Sequence, residues 1–145
     1  MLKKKENNTK TIILKTLTLK GNKYTSEKLF DQSIRKIQKT SLKNSKSVIK
    51  ISLKNISPVL SSLKIRKRKT ITLVPFFLKK SKRLSHAIKL IVKKSQERKK
   101  KEFISEFSEE ILSSSNNKGY SKSTVLNSHV SSFMNKNFSN FRWFS

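Results

Sequence analysis

The chain has 145 residues, room for one domain with a modest core, and carries 35 Lys and Arg against 8 Asp and Glu, a net charge of +27. Charge of that size opposes a compact state through self-repulsion and calls for a polyanionic partner, the more so because no carboxylate occurs between Asp31 and Glu97. The lack of cysteine excludes disulfides, thiolate metal sites and cysteine nucleophiles, and the longest apolar runs, such as Leu73 to Leu78, are too short to cross a bilayer.

In chain order, residues 1–10 read as a flexible basic arm carrying Lys3, Lys4 and Lys5, with no secretory or Arg-rich transit pattern. Residues 11–145 read as one domain. Ile12, Ile13, Leu14, Leu17 and Leu19 form a short apolar segment stopped by Gly21, helical in one reading and a strand in the rival one. Thr25 or Ser26 is placed to cap a helix whose Phe30, Ile34 and Ile37 share a stripe. From Val48 to Ile56 the pattern is ambiguous: Ile49, Ile51 and Leu53 alternate as in a strand, whereas Ile49, Leu53 and Ile56 share a helix face, and pattern alone leans to strand. Pro58 ends any helix there.

Val59 to Arg66 and Thr70 to Leu78 are β-rich runs around the cations Lys67, Arg68 and Lys69, which predicts a hairpin over about residues 59–78. At about 3.3 Å per residue such a hairpin carries its tip roughly 20 Å from its base. From Leu84 onward Leu84, Ala87, Ile88, Ile91 and Val92 make one side of an amphipathic helix and Lys89 and Lys93 the other. A further helix has Phe103, Phe107 and Ile111 on its apolar stripe, with Glu102, Glu106 and Glu109 expected on an outward polar side, away from any polyanion. After a turn at Asn117, Lys118 and Gly119, Ser123 or Thr124 is placed to cap a last helix bearing Leu126, Val130, Met134 and Phe138, with Phe138 and Phe141 expected to close it onto the core.

Candidate chemistry is sparse. His86 and His129 stand apart, as solvent-facing, RNA-facing or capping residues, and the glutamates at i, i+4 and i+7 have the spacing of any solvated helix face. No Gly-rich phosphate loop or HExxH occurs, so the expectation is no enzyme, no cofactor and no metal site. The terminus from Gly119 to Ser145 has no acidic residue and closes on Phe138, Phe141, Arg142, Trp143 and Phe144, rings and a cation suited to nucleic acid.

Several of these residues together carry a resemblance to the small-subunit ribosomal protein number seven family. Asn117, Lys118 and Gly119 resemble its Asn-Lys-Gly turn, and His129, Asn135, Lys136, Phe138, Arg142, Trp143 and Ser145 follow at matching spacing. Asn55, Pro58, Val74 and Pro75 resemble the flanks of the family's hairpin, Lys82, Arg83, Ala87, Ile91 and Val92 the helix after it, and Gly21, Thr25 and Glu27 the turn between its first helices. The sequence departs from the family at the hairpin tip, where Arg68 and Lys69 stand in place of the usual glycines, and in lacking the proline-containing segment before the first helix. The resemblance implies a mainly α fold: a single-domain bundle of about six helices with a protruding basic β-hairpin between the third and fourth. It also implies a helix over Val48 to Ile56, and that reading is adopted against the local pattern.

By the same resemblance the protein is expected to bind the 3′ major domain of small-subunit rRNA in the subunit head, nucleate its folding, and lie near the tRNA exit site and the mRNA exit. Its expected neighbours are ribosomal proteins of the head and platform, without membrane contact or homo-oligomer. The candidate RNA-binding residues are Lys3, Lys4, Lys5, Arg66, Lys67, Arg68, Lys69, Lys79, Lys80, Lys82, Arg83, Lys118, Lys136, Arg142 and Trp143. The alternative from the same basic surface is a sequence-tolerant architectural DNA-binding protein. A lysine-over-arginine, Asn- and Ser-rich composition and the short N-terminus are expected of a protein made inside an organelle, most simply a mitochondrion, with a plastid or a bacterium as alternatives.

Overall fold

The structure, a computed structural model, describes residues 2–41, 44–67, 69–97 and 102–140. The described residues form six α-helices: α1 (Leu2–Leu17), α2 (Lys23–Thr40), α3 (Ser45–Ile56), α4 (Lys80–Glu97), α5 (Phe103–Ser115) and α6 (Tyr120–Met134). An antiparallel hairpin of β1 (Leu60–Lys67) and β2 (Thr70–Phe77) stands between α3 and α4, and a 3-10 turn, Lys136–Phe138, follows α6. This is the mainly α architecture expected, with the hairpin in the expected place.

α1 begins at Leu2, so its first turns take in residues read from sequence as a free arm, and the apolar segment after them is helix, with Ile13, Leu14 and Leu17 buried. The turn into α2 uses positive φ at Lys20 (51°) and Gly21 (81°). Asn22, not Thr25 or Ser26, occupies the cap position; those hydroxyls donate back to the carbonyls of Asn22 and Lys23 at 2.9 and 2.7 Å. α2 buries Ser26, Phe30, Ser33 and Ile37, spaced four, three and four apart, one face of a helix.

Residues 48–56 are helix. Asn44 accepts the Lys46 amide at 3.1 Å to start α3, and Val48, Ser52, Leu53 and Ile56 are buried while Ile51 is exposed. A strand would have kept Ile49, Ile51 and Leu53 on one face; a core that accepts a helical stripe separates them and overrides the local β preference.

α5 lies at the centre, packed against α2, α3, α4 and α6. Phe107 and Ile111 are buried, and Phe103 stacks on Phe107 with centroids 5.5 Å apart. The expectation of an outward glutamate face fails for Glu106, and Glu110 is buried as well, the two at 5% and 8% exposure. Neighbours on four sides leave little of the polar side of α5 for solvent.

Serine explains how a chain with 34% hydrophobic residues still builds a core. Ser33, Ser52, Ser95, Ser108 and Ser114 are buried, and their hydroxyls donate to carbonyls three or four residues earlier, Leu29, Ile49, Ile91, Ile104 and Glu110 respectively. Small side chains let helices approach closely, and back-bonding meets the hydroxyl's hydrogen-bonding requirement within its own helix.

α6 departs most from expectation. Gly119 precedes it, not Ser123 or Thr124, whose hydroxyls donate to the Tyr120 carbonyl at 2.8 and 2.9 Å. Its buried residues are Ser121, Val125 and Ser132, whereas Leu126, Val130 and Met134 are 51%, 56% and 74% exposed. Phe138 is 42% exposed, so it does not close the helix onto the core; Phe141 lies outside the described residues. The packed face is the one with small residues: the Ser121 N–H meets the Glu110 carboxylate of α5, and Val125 joins the helical core.

Candidate nucleic-acid interface

The strands pair from Leu60 with Phe77 to Lys67 with Thr70, placing Ser62 opposite Pro75 and Arg66 opposite Ile71. Ile65 and Val74 are the buried hairpin residues, and Thr72 donates to the Ile65 carbonyl at 3.3 Å. At the far end Arg66 and Lys69 are exposed; Lys67 ends β1 with its side chain outside the described residues, as is the whole of Arg68. Eight-residue strands at about 3.3 Å per residue carry these cations roughly 26 Å from the hairpin's base.

Beyond β2, Lys79, Lys80 and Lys82 are exposed at the start of α4. Arg83 is half-buried, and its Nε donates to the Leu78 carbonyl at 2.8 Å. Lys82, His86, Lys89 and Lys93 then form an exposed ridge along α4, turn by turn. A second ridge, Lys46, Lys50 and Lys54 on α3, was absent from the residues singled out by sequence; their spacing of four was the available signal once that segment is a helix.

Lys118 is exposed in the turn before α6, and Lys136 is exposed with its Nζ 5.3 Å from the centroid of the Phe133 ring. Lys3, Lys4 and Lys5 lie in the first turns of α1, with side chains outside the described residues, and Arg142 and Trp143 fall outside them entirely. Thus Arg66 and Lys69 stand at the hairpin's tip and Lys79, Lys80, Lys82 and Arg83 beyond its base, two groups at opposite ends of the hairpin, and the structure does not unite the rest with either.

Among the residues with described side chains, the exposed and half-exposed carboxylates lie on other helices. Glu27 and Asp31 lie on α2, Glu102 and Glu109 at α5, and these two helices pack together, linked by the Lys36 ammonium donating to Ser105 at 2.6 Å. The Lys23–Glu27 pair, at 3.8 Å and exposed, contributes little to stability.

His129 is half-buried, and its Nε2 accepts the backbone N–H of Val59 at 3.3 Å, a structural use that the sequence did not disclose. His86 is exposed on α4. Among the described residues no three His, Cys, Asp or Glu side chains are grouped to hold a metal ion, and no helix is long and apolar enough to cross a membrane.

A helical body with lysine ridges and a hairpin tipped in cations defines a basic protein built to lie against an extended polyanion. The chain belongs to the family described as ribosomal protein S7p/S5e, whose model matches residues 2–129. It is 29% identical over 131 residues to small ribosomal subunit protein uS7c of Euglena gracilis, covering 90% of this chain and 84% of that protein. It is similar as well to uS7 of Heliobacterium modesticaldum, 28% identical over 133 residues with 92% and 85% covered. A third relative is uS7 of Bdellovibrio bacteriovorus, at 29% over 131 residues with 88% and 82% covered.

Proposed function

We propose that the protein is a structural constituent of the small ribosomal subunit that binds the 3′ major domain of its rRNA and supports folding of the subunit head. The observation that carries this reading is the cationic hairpin and α4 start on a member of the S7p/S5e family, in a stretch without a carboxylate between Asp31 and Glu97. Exposed cations on rigid elements neutralise phosphates where rRNA helices crowd together, and recognition is of shape, since the deep groove of A-form RNA hides base edges. The hairpin points toward the tRNA exit site and mRNA exit in this reading, with head and platform proteins as neighbours and no catalytic step. The composition supports a mitochondrial ribosome; the plastid and bacterial relatives support a plastid or bacterial one instead.

The test is binding of the full chain to a folded 3′ major domain rRNA fragment against duplex DNA, across a salt series. Preference for the rRNA junction, with affinity falling by orders of magnitude from low to physiological salt, is expected for roughly six to ten phosphates engaged. Equal affinity for duplex DNA, or a salt-insensitive complex, overturns it. Co-sedimentation with small subunits from separated organelles assigns the compartment.

A further inference from the structure

We propose that His129 is a positioning residue for the basic hairpin, fixing the direction in which the hairpin leaves the helical body; the use of that direction rests on the rRNA-binding reading above. Three hydrogen bonds cross the hairpin's base in series. The Val59 N–H donates to His129 Nε2 on α6 at 3.3 Å, the Leu78 N–H donates to the Val59 carbonyl at 3.0 Å, and Arg83 Nε on α4 donates to the Leu78 carbonyl at 2.8 Å. The base is therefore tied by one side chain to α6 and by another to the first turn of α4, beside the packing of both strands on α6.

α6 is in turn fixed to the body. Its Ser121 N–H donates to the buried Glu110 carboxylate at 2.8 Å, and Lys122 Nζ donates to the Asn55 carbonyl at 2.9 Å. Asn55 Nδ2 donates to the carbonyls of Ser114 and Ser115, both at 3.1 Å, joining the ends of α3 and α5. The buried Pro58, with its φ set by its ring, adjoins Val59. His129 thus transmits the orientation of a well-anchored helix to a two-stranded hairpin, an element with little rigidity of its own.

The lever is long. A rotation of about 10° at the base moves a tip roughly 26 Å away by about 4–5 Å, enough to part an ammonium from the phosphate it neutralises. A hairpin held in its bound direction before RNA arrives avoids an ordering cost on binding. To accept from Val59, the ring must be neutral with its proton on Nδ1, so the residue acts through geometry and not as a cation toward phosphate.

The experiment uses the full chain, whose lack of cysteine lets introduced cysteines be unique attachment points. Spin labels at Ile71→Cys near the tip and Gln38→Cys on α2, both exposed, report the tip-to-body distance in the free protein. His129→Leu fills the space without an acceptor, and His129→Gln keeps one. The expected result is a narrow distance distribution for the parent and His129→Gln and a broad one for His129→Leu, with unchanged helical circular dichroism. On the rRNA fragment, a hydroxyl-radical source at Ile71→Cys is expected to cut a narrow set of nucleotides with the parent and a wider set with His129→Leu. That variant should bind on the order of threefold to tenfold more weakly with an unchanged salt slope. An unbroadened distribution for His129→Leu overturns the inference, as does a salt slope lower by about one, which makes His129 a phosphate contact. A parent with no affinity for the rRNA overturns the rRNA-binding reading, while the distance measurement still decides the role of His129.

Discussion

Replacing Gly119 with alanine is predicted to destabilise the protein well beyond the same change at Gly21. Gly119 has φ 102° and ψ 167°, a region occupied essentially by glycine, and a side chain held there costs about 1–3 kcal/mol. A Cβ would also stand 2.8 Å from Ser113 Oγ and 3.0 Å from Glu110 Oε1. Neither neighbour is free to withdraw: Ser113 donates to the carbonyls of Glu109 and Glu110, and Glu110 Oε1 accepts the buried Ser121 N–H at 2.8 Å. Retreat of the carboxylate leaves that amide unpaired, a further cost of about 1–3 kcal/mol. The sum is about 2–6 kcal/mol, or a Tm drop of roughly 4–24 °C at about 2–4 °C per kcal/mol. Gly21, at φ 81° with nothing within 4 Å of a built Cβ, carries only the conformational part, about 1–2 kcal/mol. Urea denaturation of the full chain followed by helical circular dichroism measures both variants. Combining Gly119→Ala with Glu110→Ala, which removes the crowded carboxylate, should give less than the sum of the two single changes. Equal losses for Gly119→Ala and Gly21→Ala, or strict additivity in the double variant, would refute the reasoning.

Charge reversal at Arg66 and Lys69 together should weaken rRNA binding and lower its salt slope by about two, one per phosphate contact, with no loss of helical signal; a lost helical signal would make the tip structural. Substituting Lys46, Lys50 and Lys54 with serine should lower the slope by up to about three if the α3 ridge meets phosphate, and an unchanged slope in a filter-binding series removes that ridge from the interface. Phe107→Ala, at the centre of the bundle, is expected to cost about 3–5 kcal/mol in a denaturant titration, and a cost under about 1 kcal/mol would contradict the central place of α5. Asn55→Ala leaves the Ser114 and Ser115 carbonyls without its two bonds and should cost about 1–3 kcal/mol with the core otherwise intact, measured in the same titration.

Sequence and structure agree where one residue pattern has one physical outcome. Phe30, Ile34 and Ile37 and the stripe from Leu84 to Val92 recur at the helical period, and the cations between two β-rich runs read most simply as a hairpin tip, so these elements were legible. The family was legible too, because it was read from particular residues at particular spacings, such as Asn117, Lys118, Gly119 and His129, and not from composition. The clustered cations of the hairpin and α4 start were legible as a group, whereas the exposed ridge of Lys46, Lys50 and Lys54 was not, because they form a ridge only if residues 48–56 are helical.

What the sequence determined alone was the kind of partner and the order of the elements: net charge of +27 and its segregation from carboxylates, helical stripes, and the hairpin's place. Only the tertiary structure decided which face of each helix is inside. α6 carries a periodic apolar stripe, yet it buries Ser121, Val125 and Ser132, because that is the face turned to its neighbours, Glu110 of α5 and the helical core among them; α5 buries Glu106 and Glu110, because it is surrounded. It also decided that His129 serves the hairpin's base, a bond between residues 70 positions apart. The physical reason is common to all three: periodicity records which side chains could share a face, while burial and pairing depend on what stands opposite, and that is set by chain segments distant in sequence.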